Sequence, residues 1–75
     1  MTKRLPRVTA KQMIKVLNGL GYHLCRQSGS HKIFKNVEGI RVVVPYHASR
    51  ILHPKLVTSI IKVVGLSIKE FGEFL

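Results

Sequence analysis

The stretch GSHKIF, residues 29–34, sets a histidine directly after a Gly-Ser pair and directly before a lysine. His31 is one of four histidines in 75 residues, the others being His23, His47 and His53. A zinc site would need converging ligands. These spacings contain no H-x-x-x-H pair, no carboxylate stands close by, and the chain has only three acidic residues, so no metal and no other cofactor is expected. A serine nucleophile is disfavoured because Ser30 and His31 are neighbours at the start of an expected strand and their side chains diverge. Cleavage of RNA needs none of these parts, since the substrate carries its own nucleophile in the 2′-hydroxyl. An imidazole, with an ordinary pKa of about 6.5, can move a proton at neutral pH, and cationic side chains can hold the phosphate. His31 is the candidate catalyst. Lys32, Lys35 and Arg26 are candidate phosphate ligands, Gly29 would let a backbone approach closely, and Ser28 and Ser30 can hydrogen-bond a phosphate. His47, in a loop past a strand end, is a candidate second acid or base. Three readings stay open: His31 is the catalyst, or it is a contact in a non-catalytic RNA-binding module. A DNA-binding regulator is the third.

Those residues need elements to carry them. Thr9 with Gln12 three residues on is a capping-box pattern, and Ala10, Met13, Ile14, Leu17 and Leu20 recur at helical spacing up to a stop at Gly21. The period then changes. Residues 22–27 predict a strand, 28–30 a turn around Gly29, 31–35 a second strand with Ile33 and Phe34 on opposite faces, and 36–39 a turn with Gly39 in a bulge position. Residues 40–44 form a β-branched third strand that Pro45 ends. A loop over 46–53 leads to a helix opened by Pro54 and closed by Gly65. It has an apolar face of Leu56, Val57, Ile60, Ile61, Val63 and Val64, and a polar stripe of Lys55, Thr58, Ser59 and Lys62. Ser67 with Glu70 opens a short last helix. The expected fold is α+β, in the order α-β-β-β-α plus a terminal helical turn: a three-stranded antiparallel sheet with two helices on one face and the other face open.

Composition bounds the partners. Thirteen Lys/Arg against three Asp/Glu give +10, and Glu38, Glu70 and Glu73 all lie beyond residue 37. Such a field attracts polyanions, above all nucleic acid. One domain over 1–75 is expected, with residues 1–8 as a basic arm. A single cysteine, Cys25, with no secretory signal and no apolar run of membrane-spanning length, points to a cytoplasmic protein with no membrane partner.

Several motifs together resemble one family. Leu20-Gly21-Tyr22 is followed by Arg26-Gln27-Ser28-Gly29-Ser30-His31, then Phe34, Asn36 and Glu38-Gly39, then Val44-Pro45-x-His47. Ile60-Ile61-Lys62 and Gly65-Leu66-Ser67 come next, before Glu70-Phe71. Over residues 9–75 the chain resembles the HicA, or YcfA-like, toxins of toxin–antitoxin pairs. The resemblance implies a fold like that of a double-stranded-RNA-binding domain and ribosome-independent, metal-independent endonucleolytic cleavage of mRNA. It also implies an essential histidine at His31 and an acidic-faced HicB-like antitoxin that covers it. The chain departs from the family pattern at Val37, where proline is frequent, and at Lys55-Leu56, where Gly-Thr is frequent. His53-Pro54-Lys55 does not match the lysine cluster of true duplex-binding domains, which makes single-stranded or locally unpaired mRNA the expected substrate.

Overall fold

The computed structural model describes residues 5–47 and 50–75. Six elements follow one another: α1 (Ala10–Gly19), β1 (His23–Ser28), β2 (His31–Lys35), β3 (Arg41–Pro45), α2 (Pro54–Val64) and α3 (Ile68–Glu73). The strands form one antiparallel sheet in the order β1-β2-β3. The α+β meander expected from the sequence is the observed fold.

Local chemistry sets the element ends. The Gln12 backbone N–H donates to Thr9 Oγ1 at 3.2 Å, and Gln12 Oε1 accepts from the Thr9 N–H at 2.8 Å, closing the capping box of α1. At its other end Tyr22 N–H reaches the Leu17 carbonyl and Gly21 N–H the Asn18 carbonyl, with Gly21 at φ 88°. This paired bonding needs a left-handed residue, which glycine supplies without strain. Ser67 and Glu70 form a second capping box at α3. The Ser67 backbone N–H, and then its hydroxyl, hold the Glu70 carboxyl below the usual carboxylate range. α2 opens differently: His53 is its N-cap, and His53 Nδ1 accepts from the Lys55 N–H at 3.1 Å ahead of Pro54.

The helices cover one face of the sheet. Phe34, Val42 and Val44 meet Ala10, Met13, Val16 and Leu17 of α1, Val57, Ile60 and Ile61 of α2, and Phe71 of α3 in one buried cluster. Each fully buried Val, Leu, Ile, Phe or Met among them contributes about 1.5–3 kcal/mol by leaving water. Val63 departs from the expected apolar face of α2 and stands 49% exposed at its edge.

The arm expected over residues 1–8 is described only from Leu5 onward. Residues 1–4 lie outside the described residues, but Val8 is fully buried and Leu5 packs against the core. The cause is a pairing across the chain. Leu52 N–H donates to the Val8 carbonyl at 2.8 Å, and Thr9 bridges Ile51. The segment before α1 and the segment before α2 therefore hold each other. Of the expected loop over 46–53, residues 48 and 49 lie outside the described residues.

Candidate nucleic-acid interface

The geometry of the site begins with the turn between β1 and β2. Gly29 and Ser30 make a two-residue hairpin loop between the paired residues Ser28 and His31. Gly29 lies at φ 58° with open space where a Cβ would stand, so the demand for glycine is conformational and not steric. Gln27 Nε2 donates to the Gly29 carbonyl at 3.2 Å and braces the turn. Tyr46 N–H donates to the Ser30 carbonyl at 2.6 Å, which carries the β2–β3 ladder past Pro45 and fixes the other side of the turn.

The turn sets the register, and the register sets the faces. Ser28 pairs with His31, Gln27 with Lys32 and Arg26 with Ile33. Regular pairing would then put Cys25 opposite Phe34. Instead Leu24 stands opposite Phe34 and His23 opposite Lys35, so Cys25 is an extra residue, a β-bulge. Without it Tyr22, Leu24, Arg26 and Ser28, all even-numbered, would share one face. With it Tyr22 turns into the core, where it is buried, while Arg26 and Ser28 turn to the open face beside His31. Arg26 becomes a diagonal neighbour of His31, about 7–8 Å away between backbones and within reach of an arginine side chain.

The open face therefore has three cross-strand rows. Ser28, His31 and Pro45 form the first; Arg26, Ile33 and Val43 the second; His23, Lys35 and Arg41 the third. His31, Arg26, Ser28, Lys35, His23 and Arg41 are all exposed. The expected site residues are thus divided. Ser28, Gly29, Ser30, Arg26 and His31 gather at one end. Lys35 shares the face but sits four residues along β2, about 13 Å away at ~3.3 Å per residue. Lys32 departs from the expectation of a cation beside His31. Adjacent strand residues face opposite sides, and its Nζ lies 4.1 Å from the centroid of the Tyr46 ring on the helix side of the sheet.

His47 follows two residues after Pro45, the cross-strand partner of His31, and is exposed. Its carbonyl accepts from the Arg50 N–H at 2.8 Å. His47, Arg50 and His53 line a cleft of about 260 Å³ whose remaining walls are Pro45, Ile51, Leu52 and Leu56. The cations Arg41 and Arg50, and the face shared by His23, were not singled out from the sequence. Cross-strand register, a non-local property, is what groups Arg41 and His23 with the expected residues, while Arg50 meets His47 through the cleft.

Among the described residues no helix is long and apolar enough to cross a membrane. No curated protein matches the chain. Residues 10–66 match the family described as the HicA toxin of bacterial toxin–antitoxin systems. That span runs from the first residue of α1 past the end of α2 and includes all three strands, the bulge and the Gly-Ser-His turn. By a match over well more than half of its length, the chain belongs to the HicA toxin family, the toxin side of a toxin–antitoxin pair.

Proposed function

We propose that the protein is a metal-independent endoribonuclease that cleaves single-stranded or locally unpaired mRNA in the cytoplasm, with His31 moving the proton. The observation that carries this reading is the exposed His31 on one sheet face with Arg26 and Ser28, at the foot of a glycine turn, in a chain of the HicA family. In the proposed step His31 takes the proton of the ribose 2′-hydroxyl, and the 2′-oxygen attacks the adjacent phosphorus. The 5′-oxygen leaves with a proton, yielding a 2′,3′-cyclic phosphate and a 5′-hydroxyl. Arg26, the Ser28 hydroxyl and the backbone at Gly29 and Ser30 hold the phosphate as its charge rises. His47 is the candidate for protonating the leaving oxygen, with His31 and His47 able to exchange roles. Lys35 is too far along the strand for the reacting phosphate and belongs to the RNA path. The partner that silences the toxin is a HicB-like antitoxin whose acidic surface lies over this face.

The test is purified protein on an mRNA in the presence of EDTA, native beside His31→Ala. The native protein should cut and the variant should lose about 10²–10⁴-fold in rate, the usual worth of one general acid or base. RNA affinity should stay within a few-fold. Equal losses of binding and cleavage would leave His31 a contact residue. Cleavage of a substrate with a 2′-deoxy sugar at the cut site would exclude the 2′-hydroxyl route.

A further inference from the structure

The third row of the open face is not part of the reacting site, and its composition stands out. His23, Lys35 and Arg41 come from three different strands, lie side by side, and are all exposed. With strands about 4.8 Å apart, the two fixed charges of Lys35 and Arg41 and the imidazole of His23 spread over about 10 Å across the sheet. Of the chain's three carboxylates only Glu38 belongs to the sheet's hairpins; Glu70 and Glu73 are on α3. Between this row and His31 lies the row of Ile33 and Val43, apolar and partly exposed, flanked by Arg26. The face thus runs from a polar end, across an apolar strip, to a cationic end. That order matches a nucleic-acid single strand: phosphate, base faces, phosphate.

We propose that His23, Lys35 and Arg41 form a second phosphate subsite, which holds the RNA backbone several nucleotides from the scissile bond. The proposal rests on the ribonuclease reading and extends it by giving the substrate a path: across the open sheet face from His31 toward the β2–β3 hairpin, with bases against Ile33 and Val43. At ~3.4 Å per stacked nucleotide, the ~13 Å from His31 to Lys35 spans about four nucleotides. Productive substrates must therefore extend at least that far on one side of the cut. The same geometry makes Arg41, on the edge strand, and Lys35, at the end of the central strand, positioning residues for RNA that never touch the reacting atoms.

The decisive experiment measures binding apart from cleavage. In the His31→Ala background, Lys35→Ala/Arg41→Ala is compared with Lys62→Ala/Lys69→Ala, which removes the same charge from the helix layer. The probes are unstructured RNA oligomers of about eight nucleotides, longer than the span, and of about three, shorter than it. The sheet pair should lose roughly tenfold in affinity for the longer oligomer at low salt, little for the shorter one, and the slope of log K against log salt should fall by about 1.4. The helix pair should lose little with either. Equal losses for the two pairs, or an equal loss with both oligomers, would overturn the subsite. A sheet pair that binds RNA like the parent but fails to bind the antitoxin would overturn it too, and would assign the row to the antitoxin. In the His31-containing protein, failure to cut any mRNA while the contrast between the pairs persists would sink the cleavage reading and leave the subsite standing.

Discussion

At the scale of single residues, charge alone does not pick out the cations that share the face of His31. Arg26 and Lys32 are both near His31 in sequence, and Lys32 is adjacent to it. Register places Arg26 on the face of His31 and Lys32 on the other, over the Tyr46 ring. A charge-assisted hydrogen bond is worth about 1.5–3 kcal/mol, so Arg26→Ala should lower kcat/KM on mRNA by about tenfold or more. Lys32→Ala removes a half-buried cation–π contact worth about 0.5–2 kcal/mol, and its effect should fall on thermal stability. Its cleavage rate should stay within about threefold of native, the change that screened, distant charge produces. Steady-state kinetics and a melting curve on the two variants decide it. A Lys32→Ala enzyme as impaired as Arg26→Ala would mean that the lysine swings to the open face when RNA binds.

At the scale of elements, the bulge at Cys25 lets the hairpin satisfy the core and the site together, and this can be tested by deletion. Removing Cys25 leaves a regular strand with Leu24 still opposite Phe34 and Arg26 still opposite Ile33. Removing Gln27 also leaves a regular strand, but Arg26 then falls opposite Lys32, turned inward beside a like charge. The first deletion should keep cleavage within about tenfold of native, while the second should drop to the level of Arg26→Ala or below. Urea melts of both would show whether each hairpin still forms. Activity surviving the Gln27 deletion would detach Arg26 from the mechanism. The bulge also marks where the sequence stops being readable. Both capping boxes, the glycine stop at Gly21, the turn at Gly29 and the helix start at Pro54 depend on residues within a few positions of one another, and each is where the sequence places it. The extra residue in β1, the diversion of Lys32 and the burial of Val8 depend on partners far along the chain: β2, Tyr46 and Leu52. A pass for periodicity reads Tyr22 and Arg26 as sharing a face and cannot see that Phe34 and the hairpin turn make incompatible claims on that strand. The histidine and its turn were legible because the turn is local. The cationic row was not, because its three members meet only after the sheet is assembled.

At the scale of the whole molecule, the +10 charge governs how the toxin meets everything else. Like charges on a small domain repel one another, and salt relieves this as the Debye length falls from about 10 Å at 0.1 M to about 3 Å at 1 M. The free toxin should therefore melt higher as sodium chloride is raised. On the proposed reading an acidic antitoxin covers the sheet, and its charge would reverse the sign. Its binding adds RT ln(1 + [L]/Kd), about 2.7 kcal/mol at a hundredfold excess over Kd, and for a domain of this size each kcal/mol moves Tm by about 4–8 °C. The complex should thus melt roughly 10–20 °C above the free toxin at low salt. Part of that gain is charge attraction, which salt weakens, so the gap should narrow from both sides as salt rises. Melting curves of free toxin and complex across a sodium chloride series check this directly. Parallel rises in both would mean that the antitoxin holds the toxin by apolar contact. The exposed Val63 on α2, beside Val43 at the edge of the sheet, would then be the surface to examine. Converging curves would tie inhibition to the same charge that draws RNA, so that antitoxin and RNA compete for one field and weaken with salt together.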